Sequence, residues 1–419
     1  MSEENQKTDV VAALPPLSTD LDWPDDLTPF DPFDVGIQTS PYAHYRWMRA
    51  NAPVIRAGNS DAPLYIVSRF ADVTAALRNA AVFLSQPPGA VVPPGFLLSL
   101  DAPDHPRLRQ MASKAFTPRA VQEFTPRIAE LIAKRWNVVL QNGGGEVMGL
   151  FASPLTISVI STLLGVPVEH SAQMRDWTTK ILDYVAILLR GVPGGADDAA
   201  YVALTSYIGN VLDAASDSQA DNVVSNLARL RASGELTAEE ASGFAALIFM
   251  AGHETTTLLT GNCLDFLSHN PVWLPFLRTE KGAAAFLNEM LRYRPPVHRL
   301  SRFVGEDTVL GGYRLPAGAS VRLLVASANR DDTAFPDGDT FDPARSNAAH
   351  AAFGYGPHMC MGSWLARLEV RLILERIGAT VSDMKPDPTI ETEALTGGAF
   401  ATVGLKNLGL SVTPLRNVT

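Results

Sequence analysis

The chain has 419 residues, 46% hydrophobic and 19% charged, with 34 Lys plus Arg against 44 Asp plus Glu for a net charge of −10. A chain this apolar can bury a large core and is not disordered throughout, and its acidic balance excludes the basic footprint of sequence-independent nucleic-acid binding. Its two cysteines, Cys263 and Cys360, lie 97 positions apart, too few for a disulfide framework or a cysteine zinc cluster, and they fit a reducing cytoplasm.

Residues 1–40, rich in Pro, Asp and Ser, read as a partly loose N-terminal extension without a basic and apolar signal sequence. Tyr42 to Asn51 has the pattern of an amphipathic helix. Val54 to Arg56 and Tyr65 to Val67 read as a strand pair, and Val73 to Arg78 as a helix. Ser85 to Pro94 is a loop with four prolines and an apolar continuation through Phe96 and Leu97, unusual because loops normally face water. From His105 to Leu247 the pattern is helical almost throughout, with breaks at Gly143-Gly144-Gly145, at Gly165-Val166-Pro167 and over 191–195. Thr237 and Glu240 form a capping box opening a long helix that runs to Asn270, where Pro271 stops it. The apolar stretch Phe244 to Leu264 carries His253, Glu254 and three threonines at its centre, so it is not a membrane span. Beyond Val304 come short strands at Thr308 to Leu310 and Val321 to Val325, then a stretch without period from Asn329 to Ala352. One more helix follows Cys360, and Gly397 to Val412 reads as a β-hairpin. With no repeat and no linker, residues 41–419 read as one domain, mainly α with a minor β part.

Three segments carry chemistry. Phe353-Gly354-Tyr355-Gly356-Pro357-His358-Met359-Cys360-Met361-Gly362 presents a cysteine on a glycine-rich loop leading into a helix at Ser363. Such glycines admit a flat ligand, and helix amides favour a thiolate. From the residues alone Cys360 is a nucleophile, a metal ligand or a small buried hydrophobe. Within the long helix, Ala251-Gly252-His253-Glu254-Thr255-Thr256-Thr257 places an acid and hydroxyls among apolar neighbours, where threonines bond back to preceding carbonyls and loosen the helix. Glu289 and Arg292 form an i, i+3 acid–base pair, weak evidence alone.

Together these segments resemble the cytochrome P450 family of haem-thiolate monooxygenases: the haem-loop pattern is complete from Phe353 to Gly362, the distal-helix pattern from Ala251 to Thr255, and the E-x-x-R pattern at Glu289 to Arg292. The resemblance covers roughly residues 41–414, looks like the soluble bacterial branch, and implies a mainly α single-domain fold with a long central helix over the haem. It implies haem b with Cys360 as axial thiolate, pushing electron density to the iron. His105, Arg109, Arg302 and His358 are then the propionate partners, and Phe353, Gly362 and Ala251 also lie against the haem. Glu254 and Thr255 become the catalytic pair that delivers protons. Glu289 and Arg292 become structural, with Arg345 as third partner and Arg330 as the alternative. Thr340 stands where many relatives carry an arginine.

For the pocket, the resemblance implicates Phe96, Leu97, Phe249, Ala251, Val297 and Phe400, within walls that include 87–98, 181–189, 297–299 and 400–403. Their apolar character implies a lipophilic substrate, with His298 and Arg299 turned to solvent or a propionate. The expected reaction inserts one atom of O2 into that substrate. Lacking a four-cysteine cluster and a dinucleotide fingerprint, the chain is expected to draw electrons from NAD(P)H through a separate ferredoxin and its reductase. It is expected to be a cytoplasmic monomer with neither nucleic-acid partner nor membrane anchor. The alternatives are a peroxide-dependent peroxygenase, against which Glu254-Thr255 counts, and a non-enzymatic haem protein.

Overall fold

The helix Ala238–His269 organises the structure, which in this computed structural model describes residues 12–57, 64–115, 123–189, 198–218, 220, 222–345, 349–397 and 402–415. Its start is fixed as the sequence predicts. Thr237 Oγ1 accepts from the Glu240 amide at 3.1 Å, and the Glu240 carboxylate accepts from the Thr237 amide at 3.0 Å, satisfying two otherwise orphaned donors. The helix ends just before Asn270-Pro271. Two glycines let neighbours reach its backbone. A Cβ on Gly252 would come within 2.8 Å of Ile160, and one on Gly261 within 2.7 Å of the Met148 sulfur. The largest hydrophobic cluster surrounds this helix and includes Trp136, Phe151, Phe249 and Phe286, all fully buried. Among the described residues no helix is long and apolar enough to cross a membrane.

The β part lies in separate sheets. Val54–Ala57 pairs antiparallel with Leu64–Val67, which runs parallel to Ser320–Leu323; Leu300–Val304 and the short Phe83–Leu84 complete five strands. The helix Phe70–Arg78 lies against this sheet's second core, around Val67, Leu77 and Leu323. A third cluster joins Phe30, from the N-terminal extension, to Tyr45, Met48, Ile55 and Ile66.

Two expectations need correction. The predicted hairpin over 397–412 is instead two pairings: Glu393–Gly397 pairs with Thr402–Asn407, whereas Gly409–Pro414 joins Val381–Pro386 and Gly144–Glu146 in another sheet. Leu408, whose side chain is buried, separates the two strands, so what read as one continuous β segment serves two sheets. Gly144, expected only to interrupt helices, is a strand residue at φ +127°. A Cβ there would lie 1.9 Å from the Leu410 carbonyl oxygen, so the pairing requires glycine.

Candidate active site

The cysteine loop is shaped by its glycines. Gly356 has φ +70°, and a Cβ on it would meet the Leu77 carbonyl oxygen at 2.5 Å. The Cys360 amide donates to the Phe353 carbonyl at 2.9 Å, folding the loop back on itself before the helix Ser363–Thr380. Cys360 is solvent-accessible although protein packs closely around it. That packing raises its thiol pKa, while the Gly362 and Ser363 amides and the Arg109 charge act the other way. Amides at a helix start favour a thiolate over a thiol, here against the larger effect of burial. Among the described residues no group of three or more His, Cys, Asp or Glu is arranged to hold a metal ion.

Four predicted cofactor residues come together beside this loop. His105 stacks on His358 with ring centroids 3.8 Å apart. His358 Nε2 lies 3.1 Å from Ser85 Oγ, and Arg109 donates to the Met359 carbonyl. Burial, then His105, Arg302 and Arg109, depress the His358 pKa to about 3, and burial depresses that of His105. Both rings are therefore neutral at pH 7. Arg302 is buried, its pKa lowered by that burial to about 10 and raised only by Asp101, so it stays charged. The Asp101 carboxylate already accepts from the Ser85 and Gln86 amides. Arg302 is thus a buried cation whose nearby carboxylate is already engaged, and His105 Nε2 is buried without a hydrogen-bond partner. A cofactor with two carboxylates would answer both, since buried charges and donors need partners. Haem fits the residues present.

On the long helix Ala251 is exposed although Phe249 and Met250 are fully buried, so one strip of a core helix opens. Thr255 is half-buried, and its Oγ1 donates to the Ala251 carbonyl at 2.9 Å. Glu254 Oε1 accepts from Thr402 Oγ1 at 2.9 Å. His253 Nδ1 lies 3.0 Å from the Phe249 carbonyl oxygen.

The pocket residues divide. Phe96 and Leu97 are buried where the loop meets the long helix: a Cβ on Gly95 would stand 2.3 Å from the Glu240 carbonyl oxygen, and one on Gly243 2.0 Å from that of Pro94. Val297 is half-buried and bridged to Thr402. Phe249, in contrast, packs against the His253 ring at 5.5 Å and does not share the Ala251 face, because residues two apart on a helix point about 200° apart. Leu247, one turn before Ala251, is the residue the helical period places on that face. Phe400 lies outside the described residues, and most side chains of the wall at 181–189 are likewise not described. His298 is a further correction: it is 2% exposed, among Tyr42 and Tyr45, with burial holding its pKa at about 3. It faces neither solvent nor the cation cluster.

The structural triad is tightly built. Arg292 donates to both Glu289 oxygens, at 2.6 and 2.9 Å, and to the carbonyls of Asn329, Gly338 and Thr340 at 2.9, 2.6 and 2.8 Å. Arg345 Nε stands 3.5 Å from Glu289 Oε1. Arg330 instead pairs with Asp339 at 3.2 Å between the rings of Tyr42 and Tyr293. Thr340 contributes a carbonyl, so this network uses the position without an arginine side chain.

Comparison with known proteins gives this geometry a family. The family model described as Cytochrome P450 matches residues 283–377. The chain is similar to the Erythromycin C-12 hydroxylase of Saccharopolyspora erythraea, 35% identical over 333 residues, 77% of this chain and 83% of that protein. It is similar to the Steroid C26-monooxygenase of Rhodococcus jostii, 31% identical over 374 residues, 84% of this chain and 78% of that protein. Among solved structures, CYP109E1 from Bacillus megaterium in complex with testosterone matches with a TM-score of 0.80 at 29% identity, covering 90% of this chain and 98% of that one. On these matches the chain belongs to the cytochrome P450 family, and it is a monooxygenase of the bacterial type.

Proposed function

We propose that this monooxygenase holds haem b through Cys360 and inserts one oxygen atom into a lipophilic small molecule, with electrons arriving from NAD(P)H through a separate ferredoxin and reductase. The observation that carries the reading is the accessible Cys360 beside the buried Arg302 and an unpartnered buried His105 nitrogen. Bound haem would supply O2 activation at its iron. Cys360 would hold that iron, with the Gly362 and Ser363 amides and Arg109 favouring the thiolate. Arg302, His105, His358 and Arg109 would receive the propionates, and Phe353, Gly362 and Ala251 would flank the ring. Glu254 would take a proton from solvent, and Thr255, whose Oγ1 proton is given to the Ala251 carbonyl, would use its lone pairs to accept from and so place the water that carries the proton. Residues 41–419 would act as one cytoplasmic, monomeric haem domain preceded by the 1–40 extension.

The lipophilic substrate class is supported by the apolar loop that docks on the long helix and by the similar proteins, named for erythromycin and steroid oxidation. Glu254 beside Thr255 favours O2-dependent turnover over peroxide use. A panel of macrolides, steroids and fatty acids, scored by the shift each causes in the ferric Soret band and then by oxygenated product with ferredoxin, reductase and NAD(P)H, tests the reading. A product containing one atom of labelled O2 is expected. Turnover supported by hydrogen peroxide alone, with no gain from the electron donors, would replace it with the peroxygenase reading.

A further inference from the structure

Thr402 lies 148 positions from Glu254 in sequence, yet the two share a hydrogen bond of 2.9 Å. Thr402 is 2% exposed, so its hydroxyl requires an acceptor inside the protein. Its backbone is fixed on several sides. It forms an antiparallel bridge with Val297, and the next amide, of Val403, donates to the Pro296 carbonyl at 2.8 Å. Two residues on, Gly404 sits so close under the long helix that a Cβ would come within 2.9 Å of the Leu258 side chain. Leu258 is one helical turn beyond Glu254. The hydroxyl is thus held by a strand, while the acid it binds has three rotatable bonds.

We infer that Thr402 is a positioning residue for Glu254, holding the carboxylate in the single orientation from which it exchanges protons with the Thr255 side of the long helix. The inference rests on the proton-delivery reading above and adds to it a residue from the substrate-pocket wall. A hydrogen bond to a charged acceptor is among the stronger ones in a protein, so its loss should cut the correctly oriented population about tenfold or more. Because Thr402 is bridged to Val297, a substrate pressing on that wall would act on the acid through the same bond.

The test uses the haem-loaded enzyme and the variants Thr402→Val, Thr402→Ser and Glu254→Gln, with Thr402→Val also made in the Glu254→Gln background. Infrared difference spectra of the resting enzyme should show a carboxylate band that moves in Thr402→Val, is restored by Thr402→Ser, and is missing when Glu254 is Gln. With whichever macrolide, steroid or fatty acid of the panel shifts the Soret band most, and with that compound saturating, Thr402→Val should lower product per NAD(P)H consumed by up to about tenfold and Thr402→Ser should restore it. Thr402→Val should lower it no further in the Glu254→Gln background. An equal infrared change in both backgrounds, or an equal loss of coupling in both, overturns the inference, because Thr402 would then act through the pocket wall and not through the acid. Unchanged coupling in Glu254→Gln alone overturns the proton-delivery reading instead, while the infrared comparison still reports whether the bond exists.

Discussion

Arg292→Met removes a guanidinium but keeps much of the side-chain bulk. Arg292 is 1% exposed and makes five hydrogen bonds, two to the Glu289 carboxylate and three to carbonyls of the 329–340 segment. Methionine would take this donor from the Asn329 and Gly338 carbonyls, leave the Thr340 carbonyl only Arg345 at 3.2 Å, and leave the carboxylate the Asp342 amide, at 2.8 Å, and Arg345, at 3.5 Å. Breaking a buried ion pair by removing one member costs about 3–5 kcal/mol, and each stranded buried acceptor adds up to roughly 1–3 kcal/mol where water cannot reach it. With partial rescue by Arg345, a net loss of about 5 kcal/mol is expected, a large part of the roughly 5–15 kcal/mol that typically separates folded from unfolded protein. At roughly 2–4 °C per kcal/mol for a large domain, the melting temperature should fall by about 10 °C or more. Circular dichroism melts should show this, together with limited proteolysis mapped to 329–345. Glu289→Gln, which keeps an acceptor, should fall by less. Arg292→Lys should not recover the wild-type value, because one ammonium cannot span five acceptors. A Met variant melting within about 2 °C of wild type, with unchanged proteolysis, would refute the view that this arginine ties the helix Glu280–Tyr293 to the segment after it.

Glu369 is buried at 2% exposure, and burial raises its pKa to about 8. It is therefore protonated in the fold while an unfolded glutamate ionises near pH 4.5, so stability falls as pH rises from about 4.5 to 8 and is level above that. Glu369→Gln should melt well above wild type at pH 8 and close to it at pH 5; a gap that is constant with pH would contradict the assignment. His298, held neutral with a pKa of about 3, has the opposite sign: its contribution is present above pH 6.5 and is lost as pH falls toward 3, so His298→Gln should flatten acid unfolding over that window. Thr255→Ala should keep haem content and substrate-induced Soret shifts but release more hydrogen peroxide per NAD(P)H; unchanged coupling with only a lower melting temperature would leave Thr255 a helix-bonding residue. The isolated protein should consume no NAD(P)H with O2 and substrate until a ferredoxin and its reductase are added, and turnover without them would refute the separate electron supply.

What the sequence made legible were features coded within a few residues. The capping box at Thr237 and Glu240 started the long helix where expected, and the i, i+3 spacing brought Glu289 to Arg292. The glycine-rich loop announced Cys360 because its neighbours in sequence are its neighbours in space. Features set by distant contacts were hidden. Nothing near Gly144 reports that Leu410 will lie against it, and nothing near Thr402 reports that Glu254 will accept its hydrogen bond. Phe249 and Ala251 belong to one apolar helix, but 100° per residue separates their side chains and brings Leu247 to the Ala251 face. Sequence places His298 at solvent or a propionate, because a histidine next to an arginine gives no sign of enclosure, but Tyr42 and Tyr45 pack against it.

Thiolate ligation by Cys360 is read out by the ferrous carbon monoxide spectrum of the purified enzyme. A Soret band at the long wavelength typical of thiolate-bound haem is expected, and Cys360→Ser should lose it, because a hydroxyl is a far weaker donor than the thiolate that Gly362, Ser363 and Arg109 stabilise. A Cys360→Ser protein whose carbon monoxide spectrum matches that of the wild type would contradict ligation by Cys360.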